Sequence, residues 1–199
     1  MWVTDQVINF FYEVLGESYK DIPKIRLIDP ASVSCIYHMT EIDDLFEVFG
    51  PLRLHKADMI ICPVNDNTSP LETGGTHWAL LVYIRVTDTF HYFDSAGEEI
   101  PTRLSVASKL RALISNRKES YYMRELSSEV ETFRYTPRQG NSYDCGIFVM
   151  GITLCLLNLY KTCPSELRYI TSLDFEQYIN QDEADDMRQY IRNMLLFSL

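Results

Sequence analysis

The chain is poor in positive charge: 18 lysines and arginines face 28 aspartates and glutamates across 199 residues, a formal net charge of −10. Affinity for nucleic acid rests on basic side chains neutralising phosphates, so no nucleic-acid partner is expected. A partner with a basic face or tail suits this balance better, although a solvated acidic surface is its default explanation. Cysteine is sparse too. The five present, Cys35, Cys62, Cys145, Cys155 and Cys163, are odd in number, widely spread and never spaced C-x-x-C. That excludes the usual zinc patterns and argues against a disulfide framework. The most apolar helix-length segment, Ile147 to Tyr160, is too short to cross a bilayer. No signal-peptide core develops after Met1, because Asp5 interrupts it. No membrane association is therefore expected, and cytoplasm and/or nucleus follows as the default reducing location. Internal repeats, low-complexity tracts and long linkers are also missing.

What is present fits a globular α+β chain. Hydrophobic residues make up 46% and charged residues 23%, and thirteen tyrosines with ten phenylalanines supply large contact areas. One domain over residues 1–199 is expected, helical to about 56, sheet-containing over about 57–140, and helical again over about 141–199. Asp5 caps a helix with Val7, Ile8, Phe11, Val14 and Leu15 on one face, ending near Gly16. Asp29-Pro30 starts a short helix through Ile36. Thr40 with Asp43 resembles a capping pair for Ile42 to Phe49, which Gly50-Pro51 stops. The period then changes. Met59–Val64, Trp78–Ile84 and Thr89–Phe93 read as adjacent strands, the last two as an antiparallel hairpin, with Thr68 to Thr76 a surface loop. Thr102 caps a helix with Leu104, Ala107, Leu110 and Ile114 inward, and Phe133 to Tyr135 reads as a further strand. Ile147 to Tyr160 is apolar on nearly every side and so must be a central helix. Asp182 caps a last helix with a stripe of Met187, Tyr190, Ile191, Met194 and Leu195. The expected architecture is a mostly antiparallel sheet with flanking helices, in two lobes around a cleft.

The chemistry turns on Cys145, at the mouth of the central helix, where the macrodipole and unpaired N–H groups favour the thiolate form of a cysteine. Cysteine hydrolysis also needs an imidazole, a group to orient it, and oxyanion donors. His77 stands where a Gly-Gly loop enters a strand, and Asp94 where the next strand ends. If those strands are neighbours, Asp94 reaches the distal nitrogen of His77 and fixes its tautomer. Gln139 lies six residues before Cys145, so its amide is a candidate oxyanion donor beside the Cys145 N–H. Each residue has a blander reading: a packed core cysteine, a satisfied strand-edge histidine, a turn aspartate, a solvated loop glutamine.

Read together, three segments resemble a known family. Gly74-Gly-Thr-His-Trp-Ala-Leu-Leu-Val-Tyr83, Tyr92-Phe-Asp-Ser95 and Gln139-Gly-Asn-Ser-Tyr-Asp-Cys-Gly146 are similar to the ubiquitin-like-protein proteases, papain-like cysteine enzymes that process or remove SUMO and the neddylation modifier. Trp2-Val-Thr-Asp5 and Pro63-Val-Asn-Asp-Asn67 extend the resemblance over most of the chain. It implies a papain-like fold, with His77 as base, Asp94 as its orienter, Cys145 as nucleophile and Gln139 as oxyanion donor. Trp2, Asp5, Asn65 and Trp78 would shape a narrow channel for the modifier's extended tail. The wording of the motifs and the small length look most like the deneddylase branch. Implied partners are the neddylation modifier or SUMO and their conjugates, cullin-type targets included, with the chain a monomer and no metal or cofactor. Two other readings stand beside this: a non-catalytic ubiquitin-like-protein binder, and a Cys-His acyltransferase.

Overall fold

The computed structural model describes residues 2–22, 24–70, 74–118, 130–133 and 136–197. Five strands, β1 (Ile25–Leu27), β2 (Met59–Asn65), β3 (Trp78–Ile84), β4 (Thr89–Phe93) and β5 (Val130–Thr132), lie in that spatial order in one sheet. The β2–β3–β4 centre is antiparallel, with β3 and β4 joined as the expected hairpin. Both outer pairings, β1 with β2 and β4 with β5, are parallel, so the sheet as a whole is mixed. β1 is too short to give a readable alternation. The last strand falls at Val130–Thr132 rather than at Phe133 to Tyr135, although the Phe133 N–H still reaches the Tyr92 carbonyl at 2.8 Å. Residues 134 and 135 lie outside the described residues, as do 71–73 of the expected loop.

The strands read as continuous apolar runs because helices cover both faces of the sheet. Met59, Ile61, Leu80, Val82, Ile84 and Phe93 join one core, with α1 (Asp5–Ser18) and the central helix α5 (Cys145–Thr162). Ile60, Cys62, Val64, Ala79, Leu81, Tyr83, Phe90 and Tyr92 join a second, with α2 (Pro30–His38), α3 (Ile42–Phe49) and α4 (Thr102–Ser115). What reads as two lobes is one sheet with a separate core on each face. Burying each large apolar side chain contributes about 1.5–3 kcal/mol, so α5, buried at eleven positions, anchors the first core. At 18 residues α5 begins earlier and ends later than Ile147 to Tyr160, and it reaches the length and apolarity of a short membrane span. Its inward residues are matched to the sheet instead.

The helices sit where expected, but several starts are held differently. Asp29 does cap α2, accepting from the Ser32 N–H at 2.9 Å, with Pro30 as first helical residue. Asp5, however, lies inside the first turn of α1, and Thr4 occupies the cap position. Glu41, not Thr40, precedes α3. Thr102 is already helical, and its hydroxyl donates to the Asn65 carbonyl at 2.7 Å; Leu104 faces outward. The last helix, α6 (Gln181–Phe197), is capped by Asn180, whose Oδ1 accepts from Asp182 N–H at 2.9 Å. Asn180 N–H in turn donates to Glu183 at 3.2 Å, a reciprocal box two residues earlier than Asp182 suggests. Ile191 of the expected stripe is buried, but Tyr190 is exposed.

Candidate active site

Register assembles one half of the site. Leu80 pairs with Phe93 across the antiparallel β3–β4 ladder, so His77, just before β3, and Asp94, just after β4, meet at the same end of the sheet. His77 Nε2 and Asp94 Oδ2 are 2.8 Å apart, and both residues are buried. Asp94 is held from every side. Its Oδ2 accepts from the Tyr92 hydroxyl at 2.8 Å, and its Oδ1 from the N–H groups of Ala96 at 2.8 Å and Gly97 at 3.0 Å. The Tyr92 oxygen accepts from the Ile100 N–H at 3.2 Å, which fixes the phenol itself. On the other side, Asp66 Oδ1 accepts from the N–H groups of Thr76 at 2.7 Å and His77 at 3.1 Å, pinning the chain as it enters β3. Asn65 Nδ2 donates to the His77 carbonyl at 3.0 Å.

These contacts set the charge states. Burial raises the cost of ionising Asp94, but hydrogen bonds and the His77 charge outweigh it and hold the carboxyl below its usual range. Burial likewise opposes a charged His77, yet the hydrogen bond and charge of Asp94, with the Cys145 side chain as a second partner, push its pKa up to about 10. The structure thus pairs His77 with Asp94, with the Cys145 side chain near enough to act on the His77 charge. With Nε2 taken by Asp94, Nδ1 is the ring nitrogen left for the sulfur.

The other half is a loop running into a helix. Cys145 is the first residue of α5 and is buried. Asp144 precedes it in the cap position without capping the helix by its side chain. The Asp144 carboxylate, fully buried, accepts instead from Asn141 Nδ2, Gln181 Nε2 at 2.9 Å and Arg188 Nε at 2.9 Å, with Arg188 Nη2 as a further donor. Burial works against its ionisation, but these donors and the Arg188 charge hold its pKa below the usual range. Gln139 is half-buried. Its Oε1 accepts from the Ser95 hydroxyl at 2.7 Å, and its Nε2 donates to the Asn141 carbonyl at 2.6 Å. A primary amide carries two N–H groups, so one remains for an incoming oxygen.

Trp2, Asp5, Asn65 and Trp78 come together in the wall of a cavity of about 730 Å³ that Gly74 and Gly75 also line. Gly75 has φ +110°, and a Cβ there would lie 1.8 Å from Asn65 Oδ1, so only glycine permits this wall. Trp78 also fastens the start of the chain, its indole N–H donating to the Val3 carbonyl at 3.1 Å. Val3 in turn lies against Gly146, where a Cβ would come within 2.6 Å of the valine Cβ. The opening residues are therefore strapped across the neighbours of both His77 and Cys145. Among the described residues, no group of three or more His, Cys, Asp or Glu is placed to hold a metal ion.

A profile of the Ulp1 protease family, C-terminal catalytic domain, matches residues 1–194. The chain belongs to the Ulp1 protease family. Ulp1-family membership makes it a cysteine-type peptidase. It is 33% identical over 168 residues to a probable sentrin-specific protease 8 of Dictyostelium discoideum, covering 79% of this chain and 67% of that one. Identity to NEDD8-specific protease 1 of Arabidopsis thaliana is 32% over 153 residues, covering 76% and 63% of the two chains. Identity to human sentrin-specific protease 8 is 30% over 175 residues, covering 85% and 78%. The chain thus spans about two thirds of the length of the first two relatives. Those names agree with the deneddylase branch of the family. The fold matches the SUMO protease Ulp1 with its catalytic cysteine oxidised to a sulfenic acid, at a TM-score of 0.65 and 21% identity over 99% of this chain and 78% of that one. It also matches the Ulp1 protease domain in complex with Smt3, the yeast ortholog of SUMO, at 0.62 and 20% over 98% and 77%. The papain-like α+β fold expected of the family is the one observed.

Sequence reasoning missed the residues that hold the Ulp1-type site together. Tyr92, Asp66, Ser95, Asn141 and Asp144 sit within or beside the recognised motifs, so their positions carried a signal. Gln181 and Arg188 lie in an acidic helix with no local hint of a partner at residue 144.

Proposed function

We propose that this chain hydrolyses the bond after the C-terminal Gly-Gly of a ubiquitin-like modifier, with the neddylation modifier as preferred substrate. The observation that carries this is the pairing of His77 with Asp94 beside Cys145, whose His77 Nε2 to Asp94 Oδ2 contact measures 2.8 Å. The Cys145 thiolate attacks the glycine carbonyl, and the oxyanion is received by the free Gln139 N–H and the Cys145 backbone N–H. His77 gives its proton to the leaving amine, and the C–N bond breaks to leave a thioester. His77 then takes a proton from water, whose oxygen attacks the thioester and frees the modifier's carboxylate while the thiolate is restored. Trp2, Asp5, Asn65 and Trp78 border the channel for the extended tail, which fits a glycine backbone with no side chains beside the scissile bond.

The preference for the neddylation modifier draws on relatives named NEDD8-specific protease and sentrin-specific protease 8. Precursor processing cuts a peptide bond and removal from conjugates, cullin-type targets among them, an isopeptide bond, and both are amides of the same terminal glycine. A monomer working in the cytoplasm and/or nucleus completes the proposal, since five unpaired cysteines suit a reducing compartment. The test is parallel cleavage of neddylation-modifier, SUMO and ubiquitin C-terminal reporters by the wild-type chain and by Cys145→Ala. Preferential release from the first reporter, abolished in Cys145→Ala with modifier binding kept, is the expected result. Preference for the SUMO reporter would move the chain to the SUMO isopeptidases, and hydrolysis retained by Cys145→Ala would end the assignment of the nucleophile.

A further inference from the structure

The segment from Gln139 to Asp144 carries the oxyanion donor and delivers the nucleophile, yet it has no regular secondary structure of its own. Oxyanion donors act only when held close to their productive position before the reaction begins. Two anchors fix this segment. One comes from the sheet: the Gln139 N–H donates to the Ser95 carbonyl at 3.1 Å, and the Ser95 hydroxyl donates to the Gln139 side chain. The other comes from α6, some forty residues further along the chain. Gln181 Oε1 accepts from the Gly140 N–H at 2.6 Å, and Gln181 Nε2 donates to the Asp144 carboxylate at 2.9 Å. One side chain thus grips both ends of the loop. The fit is close, because a Cβ on Gly140 would meet Gln181 Oε1 at 3.1 Å. Within the loop, Asn141 passes the restraint on: its Oδ1 accepts from the Tyr143 and Asp144 N–H groups at 3.0 Å each, and its carbonyl receives the Gln139 amide.

We infer that Gln181 is a positioning residue for hydrolysis, acting through Gln139 by holding the oxyanion loop in register with Cys145. It contributes no group to the substrate. Arg188 supports the same loop from the charged side by neutralising Asp144, and Gln181 sets the backbone position. The inference rests on the reading of Cys145 and Gln139 given above.

The experiment compares wild type, Gln181→Ala, Gln139→Ala and the double variant on the modifier reporter, with the rate of iodoacetamide alkylation of Cys145 measured in parallel. Gln181→Ala is expected to lower kcat by about 10-fold, since sub-ångström misplacement of a catalytic group costs up to about 100-fold. KM and the alkylation rate should stay at wild-type values, because tail binding and the thiol are untouched. The double variant should be no slower than Gln139→Ala alone, as two residues acting through one contact are not additive. Wild-type kcat in Gln181→Ala overturns the inference, as does a full multiplication of the two defects. A parallel fall of kcat, alkylation rate and thermal midpoint also overturns it, in favour of a structural role. Gln181→Met keeps the volume and drops both hydrogen bonds to the loop, so it gives the same reading if the alanine variant does not fold. Unfolding of both where Gln139→Ala stays folded again means a structural role. A wild-type chain that cleaves no reporter refutes the function itself, whereas an active wild type matched by Gln181→Ala refutes only the role of Gln181.

Discussion

The two halves of the site are held by different means. His77 and Asp94 stand at the ends of neighbouring strands, and the backbone ladder between Leu80 and Phe93 brings them together whatever their side chains do. Gln139 and Cys145 stand on a loop and a helix tip, placed by side chains that converge from Ser95, Asn141, Gln181 and Arg188. A ladder is many weak restraints summed, so the loss of one is tolerated. A side-chain clamp concentrates its restraint in a few contacts, each costly to remove because it leaves a buried partner unsatisfied.

The sharpest way to break this contrast is Arg188→Ala, which strands the fully buried Asp144 carboxylate with only neutral donors. Removing one partner of a buried ion pair costs roughly 3–5 kcal/mol, and the partly exposed arginine places the expected loss at the lower end, read by urea unfolding. A loss within about 0.5 kcal/mol would show the clamp to be a surface pair. Next is Gln139→Ala, which should cost roughly 10²- to 10³-fold in kcat with little change in thermal midpoint. Equal effects on both would mean that the glutamine is structural.

On the strand side, pH gives the reading. The folded His77 pKa, about 10, lies above its ordinary 6.5, so the stability it contributes is fully present below about 6.5 and fades as pH climbs toward 10. Asp94 is shifted the other way, so its contribution is present above the ordinary carboxylate range and lost in acid. The gap in thermal midpoint between wild type and His77→Gln should therefore be widest in mildly acidic solution and close by about pH 10. A gap that widens with rising pH would contradict a charged His77–Asp94 pair. The smallest effect belongs to Tyr92→Phe, which removes one of the four hydrogen bonds on Asp94. A hydrogen bond to a charged group is worth about 1.5–3 kcal/mol, and with three other donors left on Asp94 the expected loss lies at the lower end, about tenfold in kcat. A loss of 100-fold or more would make Tyr92 part of the reacting row.

The same contrast explains what could be read in the sequence. The β3 and β4 spans were visible to the residue as apolar and aromatic runs, and the short turn between Ile84 and Thr89 sets their register. That register alone predicts the meeting of His77 and Asp94. The helix-borne half was legible only as a motif around Cys145. Its supports at Gln181 and Arg188 lie far along the chain in a segment whose own pattern, an acidic start and an apolar stripe, is that of any surface helix. Helix starts were misread for a similar reason: Asp5, Thr40, Thr102 and Asp182 all have the right chemistry for a cap, and a neighbour one or two residues away took the position. Both parallel edge strands are three residues long and too brief for periodicity to show.

Gly146 follows Cys145, and its hydrogen-only side chain decides how near Val3 can lie. Add a single methyl group there and the valine must retreat, drawing its carbonyl away from the Trp78 indole and lifting Trp2 from the rim it helps to build. The width of the entrance is therefore written one residue past the sulfur, in an atom that the protein leaves out.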